Sequence, residues 1–217
     1  HRDLHSFPTR RSSDLRTRLI TQVETHSIGL GDVSGVARMV LLVTLVAELL
    51  LAMALTARFA WTYDMAWPMA IWYGVFHSVS AFNNAGFALH ADGLMRYATD
   101  AWILLPIALA IVVGGIGFPV FHDIRARLND PRHWSLHTKL TLTGTAALLL
   151  AGTAVLLLFE WSNPKTLGPM GLGDKLLSAT FASVSARTAG FNSLDIAALT
   201  HESWALHYFL MFVGGGS

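Results

Sequence analysis

Apolar residues run along this chain in blocks too long and too uniform for the core of a soluble domain. Trp102 to Phe121 and Leu140 to Phe159 are each twenty residues without a charged side chain. At about 1.5 Å of rise per residue, such a helix reaches roughly the 30 Å of a hydrocarbon core. Val40 to Ala57 is a third run, interrupted only by Glu48, and Trp204 to Val213 begins a fourth. The pattern predicts an all-α, polytopic membrane protein.

Two other apolar stretches are shorter. Pro68 to Phe82 and Gly173 to Ala186 are compatible with helices, and proline suits the first helical position. About fifteen residues rise only about 22 Å, which does not cross a bilayer. Each stretch is followed at once by small and polar residues ending in Ala-Gly-Phe. A half-span helix closed by a glycine-bearing turn reads as a re-entrant loop. Such backbone is tolerated at membrane depth only inside protein or along a watery path.

These loops are copies of one another. Phe76-x-Ser78-Val79-Ser80-Ala81 leads to Ala85-Gly86-Phe87, and Phe181-x-Ser183-Val184-Ser185-Ala186 leads to Ala189-Gly190-Phe191. Each copy lies between a span before it and a span after it. The chain therefore reads as repeated span–re-entrant pore helix–span units of parallel orientation. The expected organisation is a non-native or disordered leader over 1–15, a cytoplasmic segment over 16–35 and a pore repeat over 36–122. A cytoplasmic loop over 123–137 follows, then a second pore repeat over 138–217, cut short in its last span.

Composition agrees and charge adds orientation. Hydrophobic residues make up 53% of the chain and charged residues 13%, about half the charge of a soluble domain. A net charge of +1 offers nothing to a nucleic acid, and the absence of cysteine removes disulfide and thiolate chemistry. Arg16, Arg18 and Arg38 precede the first span, and Arg125, Arg127, Arg132 and Lys139 separate the second from the third. The longer intervening segments are poorer in basic residues, so the positive-inside rule puts the N-terminal side and the 122–139 loop in the cytoplasm. His1 to Leu15 is rich in arginine and serine with no apolar core, unlike a signal peptide, and is set aside as a non-native leader.

The chemistry open to these turns is ion coordination. A selectivity filter replaces an ion's water with backbone carbonyls, and glycine supplies the conformations such a strand requires. The candidate filter residues are Asn83, Asn84, Ala85, Gly86 and Phe87 in one copy, and Thr188, Ala189, Gly190 and Phe191 in the other. No acid, base or nucleophile constellation accompanies them, and an enzyme is not expected. An ion held by carbonyls is the expected substrate, and no covalently bound cofactor is expected.

Phe76-His77-Ser78-Val79-Ser80-Ala81-Phe82-Asn83-Asn84-Ala85-Gly86-Phe87 resembles the second pore loop of the Trk/Ktr/HKT superfamily of potassium transporters. Ser185-Ala186-Arg187-Thr188-Ala189-Gly190-Phe191-Asn192 resembles the third. Gly114-Gly115-Ile116-Gly117-Phe118-Pro119 is similar to the end of the exit helix of the second repeat. Met211 to Ser217 is similar to the start of the glycine-rich break in the third, which makes Gly214, Gly215 and Gly216 candidate gate residues. The resemblance implies four repeats around one pore, a homodimer of full-length subunits in the plasma or inner membrane, and a cytosolic nucleotide-binding regulatory ring. It also allows sodium as a coupling ion. With two filter strands of four and an unfinished last span, residues 1–217 alone are not expected to conduct.

Other residues support rival readings. Discontinuous helices also fit an ion-coupled secondary transporter. His122, Asp123, His133 and His137 cluster in one loop, and His133 and His137 would be zinc-spaced on a helix, which is the basis for a membrane metalloenzyme. A purely structural membrane subunit is a third alternative. Glu48 in mid-span is a functional candidate by default, with a structural role, pairing with a neighbouring helix or lining a water-filled crevice, slightly favoured; His77 is expected to be packed and hydrogen-bonded. Arg187 is expected to anchor the filter through a carboxylate or carbonyls. Gly114, Gly115 and Gly117 are expected to allow close helix packing.

Overall fold

A computed structural model of the chain describes residues 30–128 and 130–215, and among these every regular element is a helix. The expected leader over 1–15 and Gly216 lie outside the described residues. The chain divides into two compact units, residues 1–43 and 44–217. The described part of the first begins helix α1 (Leu30–Thr62), where Val40, Leu41 and Leu42 expose their side chains.

The candidate site described below lies in the second unit. After α1 come α2 (Trp67–Phe82), α3 (Ala101–Ile116), α4 (Phe118–Ala126), α5 (Leu136–Glu160), α6 (Leu172–Thr188) and α7 (His201–Val213). The order long helix, short helix, glycine turn, helix therefore occurs twice, in α1–α2–α3 and in α5–α6–α7. Ala37–Thr62 and Leu136–Glu160 are each long and apolar enough to cross a membrane.

The run from Trp102 to Phe121 is not the continuous span that its hydropathy implies. It breaks at Gly117, where α3 and α4 meet at 86°. Gly117 has φ 85°, a conformation costly to residues with a Cβ, and Pro119 lies in the first turn of the next helix. Gly117, expected to allow close helix packing, is where the run breaks. Gly114 does fit the packing expectation: a Cβ there would lie 1.8 Å from the Phe82 carbonyl oxygen.

Side-chain caps mark the starts of three helices. Asp100 accepts from the Trp102 amide at 2.9 Å, Ser135 from Thr138 at 3.1 Å and Thr200 from Ser203 at 3.3 Å, each satisfying an orphan donor of a first turn. Asp100 also accepts from Arg58 Nε (2.9 Å) and Tyr63 Oη (2.8 Å), which ties the end of α1 to the start of α3. Burial and this bond to Asp100 push the Tyr63 phenol up to about 12. In the second set the tie comes from the other partner. Glu160, fully buried at the end of α5, accepts from the Thr200 amide and hydroxyl and from Ser203, Asn163 and Thr166, all within 2.5–2.9 Å. Five donors compensate a carboxylate that burial alone would make costly.

The core joins the two sets. Phe59, Ile103, Leu104, Ile107 and Ile111 from the first bury against Phe181, Val184 and Phe191 from the second. Two hydrogen bonds to backbone carbonyls also cross the seam: Ser178 Oγ donates to the Ala98 carbonyl (2.7 Å) and the Leu94 amide to the Asn192 carbonyl (2.8 Å).

Candidate ion-binding site

The short helices α2 and α6 end in the same construction. Each carries Ser-Val-Ser-Ala, and two residues apart on a helix point about 200° apart around the axis. One serine therefore meets the preceding long helix while the other meets the strand that follows. Ser78 Oγ donates to the Glu48 carbonyl (2.5 Å) and Ser183 Oγ to the Leu149 carbonyl (3.1 Å). Ser80 Oγ donates to the Phe87 carbonyl and Ser185 Oγ to the Phe191 carbonyl, both at 2.8 Å. Sequence reasoning did not assign these four hydroxyls a role. Their signal was present, because Ser-x-Ser stands at the same place in both copies.

Beyond the helices the backbone turns sharply. Asn83 caps α2, Asn84 takes φ 53°, and the Ala85 amide returns to the Ser80 carbonyl (2.8 Å). In the second copy α6 continues through Arg187 and Thr188, and the Ala189 and Gly190 amides both reach the Ser185 carbonyl (3.0 and 2.8 Å). Asn83 and Thr188 thus belong to helix ends, and the extended strands are shorter than Asn83–Phe87 and Thr188–Phe191. The cause is local: each returning amide satisfies a carbonyl of the last helical turn.

Gly86 and Gly190 both have positive φ, 71° and 87°. A Cβ on Gly86 would sit 1.9 Å from the Ala189 carbonyl oxygen, whereas one on Gly190 would meet nothing within 4 Å. The two strands therefore touch at Gly86. Among the described residues, the carbonyls of Asn84, Ala85, Gly86, Ala189 and Gly190 accept no hydrogen bond, while the phenylalanine carbonyls beyond them are held by serine. Unbonded carbonyls gathered in two adjoining strands are suited to a cation or to water.

The flanking side chains fix the strands. Asn84, with its amide oriented as its neighbours require, donates to Thr188 Oγ1 (2.9 Å) and the Ile111 carbonyl (3.2 Å) and accepts from the Gly115 amide (3.2 Å). Asn83 donates to Glu48 Oε1 (2.7 Å), which gives the mid-span carboxylate its partner. His77 is fully buried, with Nδ1 2.8 Å from the Tyr73 carbonyl, and the Phe191 ring stacks on it at 6.5 Å. The Phe87 ring is 70% exposed, whereas that of Phe191 is 3% exposed.

The profile of the TrkH family, described as cation transport protein, matches residues 5–217. The chain belongs to the TrkH family. Among curated relatives, it is 38% identical over 203 residues to the Ktr system potassium uptake protein B of Bacillus subtilis, covering 94% of this chain and 45% of that protein. It is 41% identical over 180 residues to the protein of the same name from Vibrio alginolyticus, covering 80% and 38%. It is 34% identical over 195 residues to the potassium/sodium uptake protein NtpJ of Enterococcus hirae, covering 88% and 42%. The chain thus spans less than half the length of these relatives.

The remaining candidates fall into place around this TrkH-family core. Gly214 ends α7 with φ 64°, and Gly215 lies near the end of α6: a Cβ there would be 3.0 Å from Thr188 Cγ2. Arg187 donates to a carbonyl as expected, but the carbonyl is that of Gly214 and not of a candidate filter residue. The zinc spacing of His133 and His137 does not form. His133 closes a 3₁₀ turn (Pro131–His133) with Nδ1 2.6 Å from Asp130, while His137 begins α5. Pro131 and the N-cap at Ser135 separate the two histidines into different elements. Asp123 is taken up by the Ser135 amide and Thr138 Oγ1, both at 2.7 Å. Among the described residues, no three His, Cys, Asp or Glu side chains converge as metal ligands.

Proposed function

We propose that this chain contributes two filter strands to the pore of a potassium uptake protein of the Trk/Ktr type. The observation that carries the reading is the pair of adjoining strands whose carbonyls around Gly86 and Gly190 are unbonded, each braced by a serine of its own short helix. The names of the relatives from Bacillus subtilis and Vibrio alginolyticus, potassium uptake protein B of a Ktr system, favour potassium as the ion and a system of several components.

Finer features belong to the same proposal. Phe191 is seated on His77 of the first set, whereas Phe87, at the same place one repeat earlier, is exposed. That contrast favours further repeats completing a ring of four. A homodimer, a cytosolic nucleotide-binding ring and residence in the plasma or inner membrane complete the reading. Sodium as a coupling ion draws support from the potassium/sodium relative of Enterococcus hirae.

The test is substitution of Gly86 or Gly190 by serine in the full-length subunit, with potassium and sodium uptake measured in reconstituted vesicles. A Cβ at a positive-φ position alters the carbonyl directions. Preference for potassium should fall in both variants while the protein still inserts; unchanged preference in both would sink the filter assignment.

A further inference from the structure

His77 is fully buried in the second half of α2. Its Nδ1 lies 2.8 Å from the Tyr73 carbonyl one turn back. A carbonyl only accepts, so Nδ1 carries the proton and donates, which leaves Nε2 as an acceptor. Among the described residues, Nε2 has no hydrogen-bond partner. The ring packs among Phe59 of α1 (6.1 Å between centroids), Tyr73 and Phe76 of its own helix (both 5.8 Å) and Phe191 (6.5 Å, planes 28° apart). Three of these four rings belong to the first set of helices. Phe191 belongs to the second, and it directly follows Gly190.

Phe191 is an anchored end of the second strand. Its carbonyl accepts from Ser185 Oγ (2.8 Å), and its ring is buried against His77. The other end is held by the Ala189 and Gly190 amides, which donate to the Ser185 carbonyl (3.0 and 2.8 Å). Between these anchors, nothing lies within 4 Å of the place a Cβ on Gly190 would take, whereas the same place at Gly86 is filled by the Ala189 carbonyl. Glycine admits a wide range of backbone conformations. The direction of the Gly190 carbonyl therefore depends on its anchors, and one of them is the Phe191 ring on His77.

Packing alone does not require an imidazole here. The matching position of the second copy is Ala182, in Phe181-Ala182-Ser183 against Phe76-His77-Ser78, and α6 forms with it. A buried acceptor without a partner costs stability that a methyl or phenyl group would not. What the imidazole adds is orientation. The bond from Nδ1 to Tyr73 ties the ring plane to the backbone of α2, and the ring then presents a fixed face to Phe191 in a stacked arrangement.

We propose that His77 is a positioning residue for ion selection. Through its stack on Phe191 it fixes the direction of the Gly190 carbonyl, so a side chain of the first set governs the potassium preference of the second strand. His77 has this role only if the strands at Gly86 and Gly190 line an ion path, as proposed above.

The experiment measures potassium and sodium uptake in vesicles for the full-length subunit and for His77→Asn, Phe191→Leu, the two together, and Gly190→Ser. Asparagine keeps a donor for the Tyr73 carbonyl and removes the ring. Potassium preference should fall several-fold in His77→Asn and in Phe191→Leu while uptake persists. It should fall no further in the pair, because both changes break the same stack. A merely structural histidine would move Tm and the amount inserted but not the preference. Wild-type preference in an inserted His77→Asn variant, or losses that multiply in the pair, would overturn the proposal. Should His77→Asn fail to insert, Phe191→Leu decides: a several-fold fall supports the stack and wild-type preference overturns it. Gly190→Ser separates the two readings. Preference lost there but kept in His77→Asn overturns the role of His77 alone, whereas preference kept in Gly190→Ser overturns the second filter strand and the role of His77 with it.

Discussion

Thr188 Oγ1 lies 2.9 Å from the side-chain amide of Asn84, and the two residues are 104 positions apart, one period of the sequence repeat. Equivalent positions of a repeat arranged around an axis approach one another only close to that axis. The contact therefore marks where the two copies converge, directly beside the unbonded carbonyls of Ala85, Gly86, Ala189 and Gly190. A double-mutant cycle tests it. Asn84→Ala and Thr188→Val should couple by about 0.5–1.5 kcal/mol in detergent unfolding, the value of one partly buried hydrogen bond. Strictly additive losses would remove the contact.

Gly86 and Gly190 should differ in what a side chain there costs in stability. Gly86→Ala drives a Cβ into the Ala189 carbonyl, whereas Gly190→Ala meets open space and bears only the strain of positive φ. That strain is worth about 1–2 kcal/mol. Gly86→Ala should therefore show the larger fall in Tm, and an equal fall in both would contradict the close approach of the strands.

Glu160 should be far more important to stability than an exposed carboxylate. Its five donors come from the segment after α5 and the start of α7, so Glu160→Gln leaves buried donors facing an amide group. A loss of about 1.5–3 kcal/mol is expected, or roughly 3–10 °C in Tm for a chain of this size. Asp92 pairs with Arg96 on an exposed loop, which holds its carboxyl below the usual range, and Asp92→Asn should leave Tm unmoved. Similar shifts in both variants would refute the assignment.

Alkaline titration reports on the tie between α1 and α3. Tyr63 should ionise near pH 12 instead of 10.0, and Asp100→Asn should return it toward the ordinary value. Because the folded state holds this proton more tightly, the linked stability is present below about pH 10 and is lost as pH rises through about 12. The tyrosinate absorbance difference between wild type and Tyr63→Phe measures it directly. A midpoint near 10 would mean that the Tyr63–Asp100 bond is absent.

Orientation is testable without background labelling, since the chain has no cysteine. A cysteine replacing the exposed Lys165 should react with an impermeant thiol reagent from outside intact cells, and one replacing Arg127 should not. The reverse labelling pattern would invert the topology drawn from the basic residues.

The sequence by itself determined the class of the fold and the two turns that carry the candidate site. Uninterrupted apolar runs require helices wherever water is absent, and the doubled Ser-Val-Ser-Ala with Ala-Gly-Phe marks both turns. Only the tertiary structure decided what each polar residue there does. Hydropathy averages over a window and cannot register a single dihedral, so Gly117 read as span and not as an 86° break. Periodicity gives the side of a helix but not the neighbour, so Ser80 and Ser185 became braces, and Asn83 the partner of Glu48, only once the elements were assembled. Arg187 stands next to the second Ala-Gly-Phe turn in the sequence, yet its carbonyl partner at Gly214 is 27 residues away. Which distant groups meet is set by helix packing, and no local pattern of residues encodes it.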